Sequence, residues 1–259
     1  MGLFDAFKKK ECSICGGEIG LLGNRKLEDG NMCKTCASKL SPWFSDRRNS
    51  TVAEINEQLA YREENRSKVA AFHTTRTLGE NPKVLLDEDA GKFMVTSARN
   101  LAEANPDVLD FADVTGCDLD IDEDKTEIQY KDKDGNRQSF NPKRYAYSYD
   151  FYIVIHVNNP YFNEMRFRLN PSSIQIDTSS GRVFGSVNRP DPERSMEYRN
   201  YCRMAEEIIQ ALTQVREQVR ETATAAAAPK TAVTCPYCGA TTTPDASGCC
   251  EFCGGAVNG

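Results

Sequence analysis

A chain of 259 residues with 39% hydrophobic content is long enough for one sizeable core with small satellites, and no apolar run approaches the ~18–20 residues that span a bilayer. The formal net charge is -6, and a four-thiolate zinc centre would add about -2 each time it is filled, which opposes general binding to a phosphate backbone. Eleven cysteines without a secretory signal pattern in the first residues favour metal binding in a reducing cytoplasm over disulfides.

The chain opens with MGLFDAFKKK, which places Leu3, Phe4 and Phe7 on one side of a helical turn ahead of Lys8, Lys9 and Lys10. A lead-in that packs on the next module is the preferred reading. The alternative is a weak interfacial anchor on the inner membrane face, which one helical turn supports only with a second contact. Next come Cys12-x2-Cys15 and, after 17 residues, Cys33-x2-Cys36. Two residues between cysteines let one tight turn present both sulfurs to one ion, and two such turns complete a tetrahedral site. Asn24 to Asp29 reads as strand, turn and strand, with Asp29-Gly30 a tight turn, and CKTCASKL as a helix ended by Pro42 with Trp43 and Phe44 packed against it. Knuckle, hairpin and ligand-bearing helix follow in the order of a treble-clef finger. This module, with its lead, covers residues 1–49.

Thr51 to Phe72 predicts a helix, with Thr51 and Glu54 as a capping box and Val52, Ile55 and Leu59 on one face. Its middle, YREENRSK, predicts a solvated stretch, so residues 50–80 read as a connector. From Lys83 the period changes to short runs rich in β-branched and aromatic residues: KVLLDED, KFMVTSA, CDLDIDED, TEIQYKD, SYDFYIVIHVNN and EMRFRLN. Lys133-Asp134-Gly135-Asn136 predicts a hairpin turn between strands 126–132 and 138–140, and Asn158-Asn159-Pro160 a second turn joining 148–157 to 164–170. A helix over about 193–221 follows, with an apolar stripe of Tyr201, Ala205, Ile208, Ile209, Leu212, Val215 and Val219. Residues 81–221 are therefore expected to form an α+β domain: an antiparallel sheet or partly open barrel capped by a long helix, in the element order of a pleckstrin-homology-like domain. The Ala/Thr-rich stretch 222–234 reads as a flexible tether. Residues 235–259 hold Cys235-x2-Cys238 and, after 11 residues, Cys250-x2-Cys253, and resemble a zinc ribbon. Cys249 competes with Cys250 as ligand, and the Cys-x2-Cys-Gly register shared by the two knuckles favours Cys250.

The stretch CSICGGEIGLLGNRKLEDGNMCKTC, with the helix from Thr51 to Phe72 behind it, resembles bacterial proteins carrying domain of unknown function 4428. The resemblance implies zinc binding and a bacterial cytosolic setting, with a β-rich domain after the finger and a zinc ribbon at the end of some members. It implies no activity.

Other features carry less chemistry. Asp118, Asp120, Asp122 and Asp124 alternate with Leu119 and Ile121 as on a strand with one wet face. The calcium-loop alternative lacks its glycine at Glu123 and its glutamate at Gln129. His73 and His156 lie near no nucleophile motif, and Cys117 and Cys202 read as buried or half-buried side chains. Residues 1–49 hold nine Lys/Arg against six Asp/Glu, and residues 235–259 hold no Lys or Arg. Nucleic-acid binding is thus disfavoured, with the first finger as its only candidate reader. The expectation is a non-enzymatic scaffold or interaction protein that holds two zinc ions, one per quartet, and recognises a protein or peptide. Iron in place of zinc stays open, as a four-sulfur set suits both.

Overall fold

The computed structural model describes residues 10–177, 189–227, 232–243 and 248–257, and the chain divides into two compact units, residues 1–216 and 217–259. Each contains one cysteine quartet.

The first unit begins with two short antiparallel pairs, β1 (Lys10–Glu11) with β2 (Glu18–Ile19) and β3 (Arg25–Lys26) with β4 (Asn31–Met32). A single-turn helix α1 (Lys34–Ala37) follows, with Cys33 as its N-cap. Leu27 and Met32 are fully buried here beside Ile19, Leu40, Cys12 and Cys36, so two cysteines of the quartet are part of the hydrophobic core. Phe44 packs on this core as expected, whereas Trp43 turns to Phe167 of the β-domain, 6.5 Å away between ring centroids.

Helix α2 (Val52–Ala71) starts at the expected capping box: the Thr51 hydroxyl accepts from the Glu54 N–H at 3.3 Å, and the Glu54 carboxylate accepts from the Thr51 N–H at 2.7 Å. Ile55 enters the finger core, and Val69 joins Leu85, Met94 and Val108 of the next domain. Its middle is not solvated throughout. Gln58, Arg62 and Asn65 are buried, continuing the helical stripe from Ile55 to Val69 with polar side chains. The reason is the segment 105–108, which lies along this face. Asn65 Nδ2 donates to the Asn105 side chain at 2.8 Å and to the Pro106 carbonyl at 2.7 Å, and its Oδ1 accepts from the Val108 N–H at 3.0 Å. Glu63, Glu64 and Arg66 occupy the wet faces.

The β-domain differs from the expected single bent sheet or partly open barrel. Its strands form two four-stranded antiparallel sheets, and neither closes. The first runs in the order β5 (Arg76–Leu78), β6 (Lys83–Asp87), β7 (Lys92–Thr96), β8 (Leu109–Asp110), with the one-turn helix α3 (Leu101–Ala104) between β7 and β8. A 3-10 turn at Phe111–Asp113 then passes the chain into the second sheet. There β9 (Val114–Lys131) and β10 (Arg137–Val157) make one long hairpin, and β11 (Glu164–Arg168) and β12 (Ile174–Asp177) pair with successive parts of the other edge of β10.

The Lys133–Asn136 turn falls where expected, with Gly135 at φ +84°, but the flanking strands are far longer. CDLDIDED and TEIQYKD are one strand, as are 138–140 and 148–157. Their register shifts between Ser139 and Arg144, where Pro142 has no N–H to offer the ladder. Helix α4 (Met196–Ala227) lays Tyr198 against Tyr149 and Phe151 of β10, and buries Ala205, Ile208 and Leu212. It extends to Ala227, so residues 222–227 of the expected tether are helical. The side chains of Val215 and Val219 lie outside the described residues.

The second unit contains the C-terminal cysteine quartet. Strands β13 (Val233–Thr234) and β14 (Thr241–Thr242) flank the first knuckle, and Cys249 bridges to Ala256 across the second. Its core is Cys235, Cys250 and Val257, with Val233 partly buried.

Candidate metal centres

Three of the four knuckles share one backbone design. In the first, the Gly16 N–H donates to the Cys12 carbonyl at 2.8 Å and the Cys12 N–H donates to the Gly17 carbonyl at 2.8 Å. Cys235 is bracketed in the same way by Gly239 and Ala240, and Cys250 by Gly254 and Gly255. Gly16, Gly239 and Gly254 all have φ near +70°, the left-handed conformation in which a Cβ is strained. The Cys-x2-Cys-Gly register is therefore a backbone requirement. The fourth knuckle is built by α1 instead, where the Ala37 N–H donates to the Cys33 carbonyl at 3.0 Å.

These turns bring the sulfurs of Cys12, Cys15, Cys33 and Cys36 together, and those of Cys235, Cys238, Cys250 and Cys253, each set within 4.8 Å. Cys250, not Cys249, belongs to the second set. Sulfur–sulfur distances are 3.9 Å for Cys15–Cys33, 3.5 Å for Cys235–Cys253 and 3.8 Å for Cys238–Cys250. A regular tetrahedron with metal–sulfur bonds of about 2.3 Å has edges of about 3.8 Å, whereas a disulfide brings its sulfurs to about 2.05 Å. Both quartets fit a metal ion.

Electrostatics point the same way. Burial pushes the Cys12 thiol up, but the N–H groups of Cys33, Cys15 and Ile14 outweigh it and bring the group down to about 6. Cys250 falls to about 6 as well, burial being outweighed by the N–H groups of Phe252 and Cys253. Their neighbours move oppositely. Burial and then the sulfurs of Cys33, Cys15 and Cys12 push Cys36 up. Cys253 is pushed up to about 12 by the Cys235 and Cys238 sulfurs, although the Gly255 N–H favours its thiolate. Four thiolates at this spacing repel one another, and a divalent cation is what allows all four to ionise.

Residues 10–58 match the family described as Domain of unknown function (DUF4428). The match holds all four ligands of the first quartet and the first two turns of α2, and so includes Ile55, which closes the finger core. It ends at Gln58, short of the helix C-terminus. No curated protein and no solved structure matches the chain.

The remaining candidates fall differently. Leu3, Phe4, Phe7, Lys8 and Lys9 lie outside the described residues, and Lys10 is an exposed residue of β1. Asp118, Asp120, Asp122 and Asp124 line the wet face of β9, where Arg166 reaches Asp120 at 2.8 Å and His156 reaches Asp118 at 3.4 Å. Among the described residues, no helix is long and apolar enough to cross a membrane.

Two features near the first quartet escaped the sequence reading. One is the turn Gly20-Leu21-Leu22-Gly23, whose signal was two leucines where turns favour small or polar residues. The other is a cleft of about 610 Å³ lined by Trp43 and Asp46 from the finger side and by Tyr161, Phe162, Glu164 and Arg166 from the β10–β11 end. Those residues are more than 110 positions apart in sequence, so no local pattern announces it.

Proposed function

We propose that both quartets bind Zn²⁺ and that the protein is a non-enzymatic adaptor that recognises a protein or peptide partner. The observation that carries this reading is the saturation of both centres: four cysteine sulfurs converge at each, which leaves no open coordination position for water or substrate. Catalytic zinc keeps such a position. The metal thus serves to hold small modules in shape, and α2 carries the DUF4428 domain against the β-domain through one continuous buried stripe. The cleft at that junction combines the aromatic rings of Trp43, Tyr161 and Phe162 with the charges of Asp46, Glu164 and Arg166. Aromatic residues and arginine are the side chains that most often anchor a protein interface.

The test is affinity capture from the native host with the full chain, followed by crosslinking and mass spectrometry. A stoichiometric partner crosslinked beside the cleft, and lost with Tyr161→Ala, supports the reading. Recovery of no stoichiometric partner under several growth conditions overturns it, and elemental analysis of the same material reports zinc or iron.

A further inference from the structure

We infer that the finger carries a docking tip for an anionic membrane surface, formed by Leu21 and Leu22 and ringed by Lys10, Arg25, Lys26, Arg47 and Arg48. The Gly23 N–H donates to the Gly20 carbonyl at 2.9 Å, which closes a tight turn with the two leucines at its corners. They are 86% and 90% exposed, the most exposed large apolar side chains of the first unit among the described residues. The neighbouring strands already supply the finger with Ile19 and Leu27, so these leucines are not surplus core.

The cations are placed around this tip by the fold. Lys10 pairs with Ile19 in the β1–β2 ladder, next to the start of the turn. Arg25 Nη1 donates to the Leu22 carbonyl at 3.4 Å, and Arg47 Nη1 donates to the Lys26 carbonyl at 3.0 Å. Among the described residues none of these five cations pairs with a carboxylate. Burial holds the Arg47 guanidinium below its usual value, and the like charges of Arg25 and Arg48 add to this, so the three share one neighbourhood. Glu11 and Glu18 face each other one ladder position further from the turn.

Shape and charge together select the occupant. Two leucines on a convex turn offer no concavity to hold a peptide, while they suit a fluid interface that closes around them. A cationic rim suits the anionic headgroups at that depth, since each basic residue near such a surface adds attraction that salt weakens. The net negative charge of the chain as a whole does not oppose this, because at physiological salt charges beyond about 8 Å are largely screened.

Flotation of the full metal-loaded chain with phosphatidylcholine vesicles, with and without roughly 30% phosphatidylserine, tests the inference. The expected result is binding to the anionic vesicles only, weakened by salt. Leu21→Ser with Leu22→Ser should lower the partition by about tenfold or more, with circular dichroism and metal content unchanged. Lys26→Glu with Arg48→Glu should weaken it in the same direction. Failure of the full chain to bind, or binding by the double serine variant equal to that of the parent, overturns the inference. The second outcome would place the anchor elsewhere in the chain.

Discussion

Arg62 and Asp107 meet at 2.6 Å with 7% and 0% of their side chains exposed, and this pair ties α2 to the segment between α3 and β8 of the β-domain. The same guanidinium donates to the carbonyls of Asn105 and Lys39, and the Ser41 hydroxyl donates to the Asp107 carboxylate at 2.8 Å. One ion pair thus reaches the finger, the helix and the β-domain. Burial pushes the Asp107 carboxyl up, and the Arg62 charge and the Ser41 hydroxyl pull against it. Removing one partner leaves the other charged without water, so Arg62→Met or Asp107→Ala should each destabilise the first unit by roughly 3–5 kcal/mol. Replacing both should cost less than the sum of the two. Denaturant unfolding of the single and double variants measures this, and additive costs would show that the two groups act independently.

Gly30 gives a second, purely steric prediction. A Cβ there would meet the Ser13 hydroxyl and the Val52 methyl at 2.7 Å each, where the first knuckle, the β3–β4 turn and the start of α2 converge. The Ser13 N–H also donates to the neighbouring Asn31 carbonyl at 2.7 Å, so the knuckle has little room to retreat. Gly30→Ala should cost about 1–3 kcal/mol. The measurement is thermal unfolding of the metal-loaded protein. An unchanged melting temperature would mean that the contact relaxes freely.

These two sites show what sequence can and cannot reveal. The quartets were legible because metal geometry is local: Cys-x2-Cys spacing brings two sulfurs together whether a glycine turn or the first turn of α1 carries them. The capping box at Thr51 and the turn at Gly135 were legible for the same reason. The buried stripe of α2 was not, because Gln58, Arg62 and Asn65 read as solvent-facing until Asn105 to Val108 is known to cover them. The two-sheet arrangement was hidden in a similar way. The alternation along β9 and β10 states that they are strands, but the passage from one sheet to the next at Phe111–Asp113 depends on tertiary packing, including the stacking of Phe93 on Phe111 at 6.1 Å.

Asp87 makes stability depend on pH in the acid range. Its carboxylate is 2% exposed and accepts from the His73 N–H at 2.8 Å and the Ala90 N–H at 3.0 Å. The His73 N–H is the leading cause that holds this carboxyl below the usual carboxylate range, against its burial. A folded-state value below the unfolded one contributes stability that is present above the unfolded value, about 3.9, and lost as pH falls through the folded value. Asp87→Asn should therefore cost roughly 1–3 kcal/mol at neutral pH, with the gap to the parent protein narrowing as pH drops below about 3.9. Unfolding curves between neutral and acid pH check it. A gap constant across that range would show that Asp87 does not contribute through its charge.

The two metal centres should release their ions at different rates, because their surroundings bury them differently. The finger keeps Leu27, Met32, Ile19, Leu40 and Ile55 around its ligands, and Ile55 belongs to a helix fixed at its far end by Val69. Around the second quartet, the described core is Val257 and the partly buried Val233, in addition to its own cysteines. With so small a core, that quartet's surroundings should depend on metal binding for their folding, so local opening should expose the ion. A chelator should thus remove metal in a fast phase from the second quartet and a slow phase from the first. Cys250→Ser should abolish the fast phase and Cys12→Ser the slow one, each leaving about one ion per chain. Cys249→Ser should keep both phases, because Cys250 supplies the sulfur in the quartet. A metallochromic indicator follows the release, and elemental analysis gives the stoichiometry. A single phase for the parent protein, or loss of one ion in Cys249→Ser, would contradict the assignment of ligands and of the two cores.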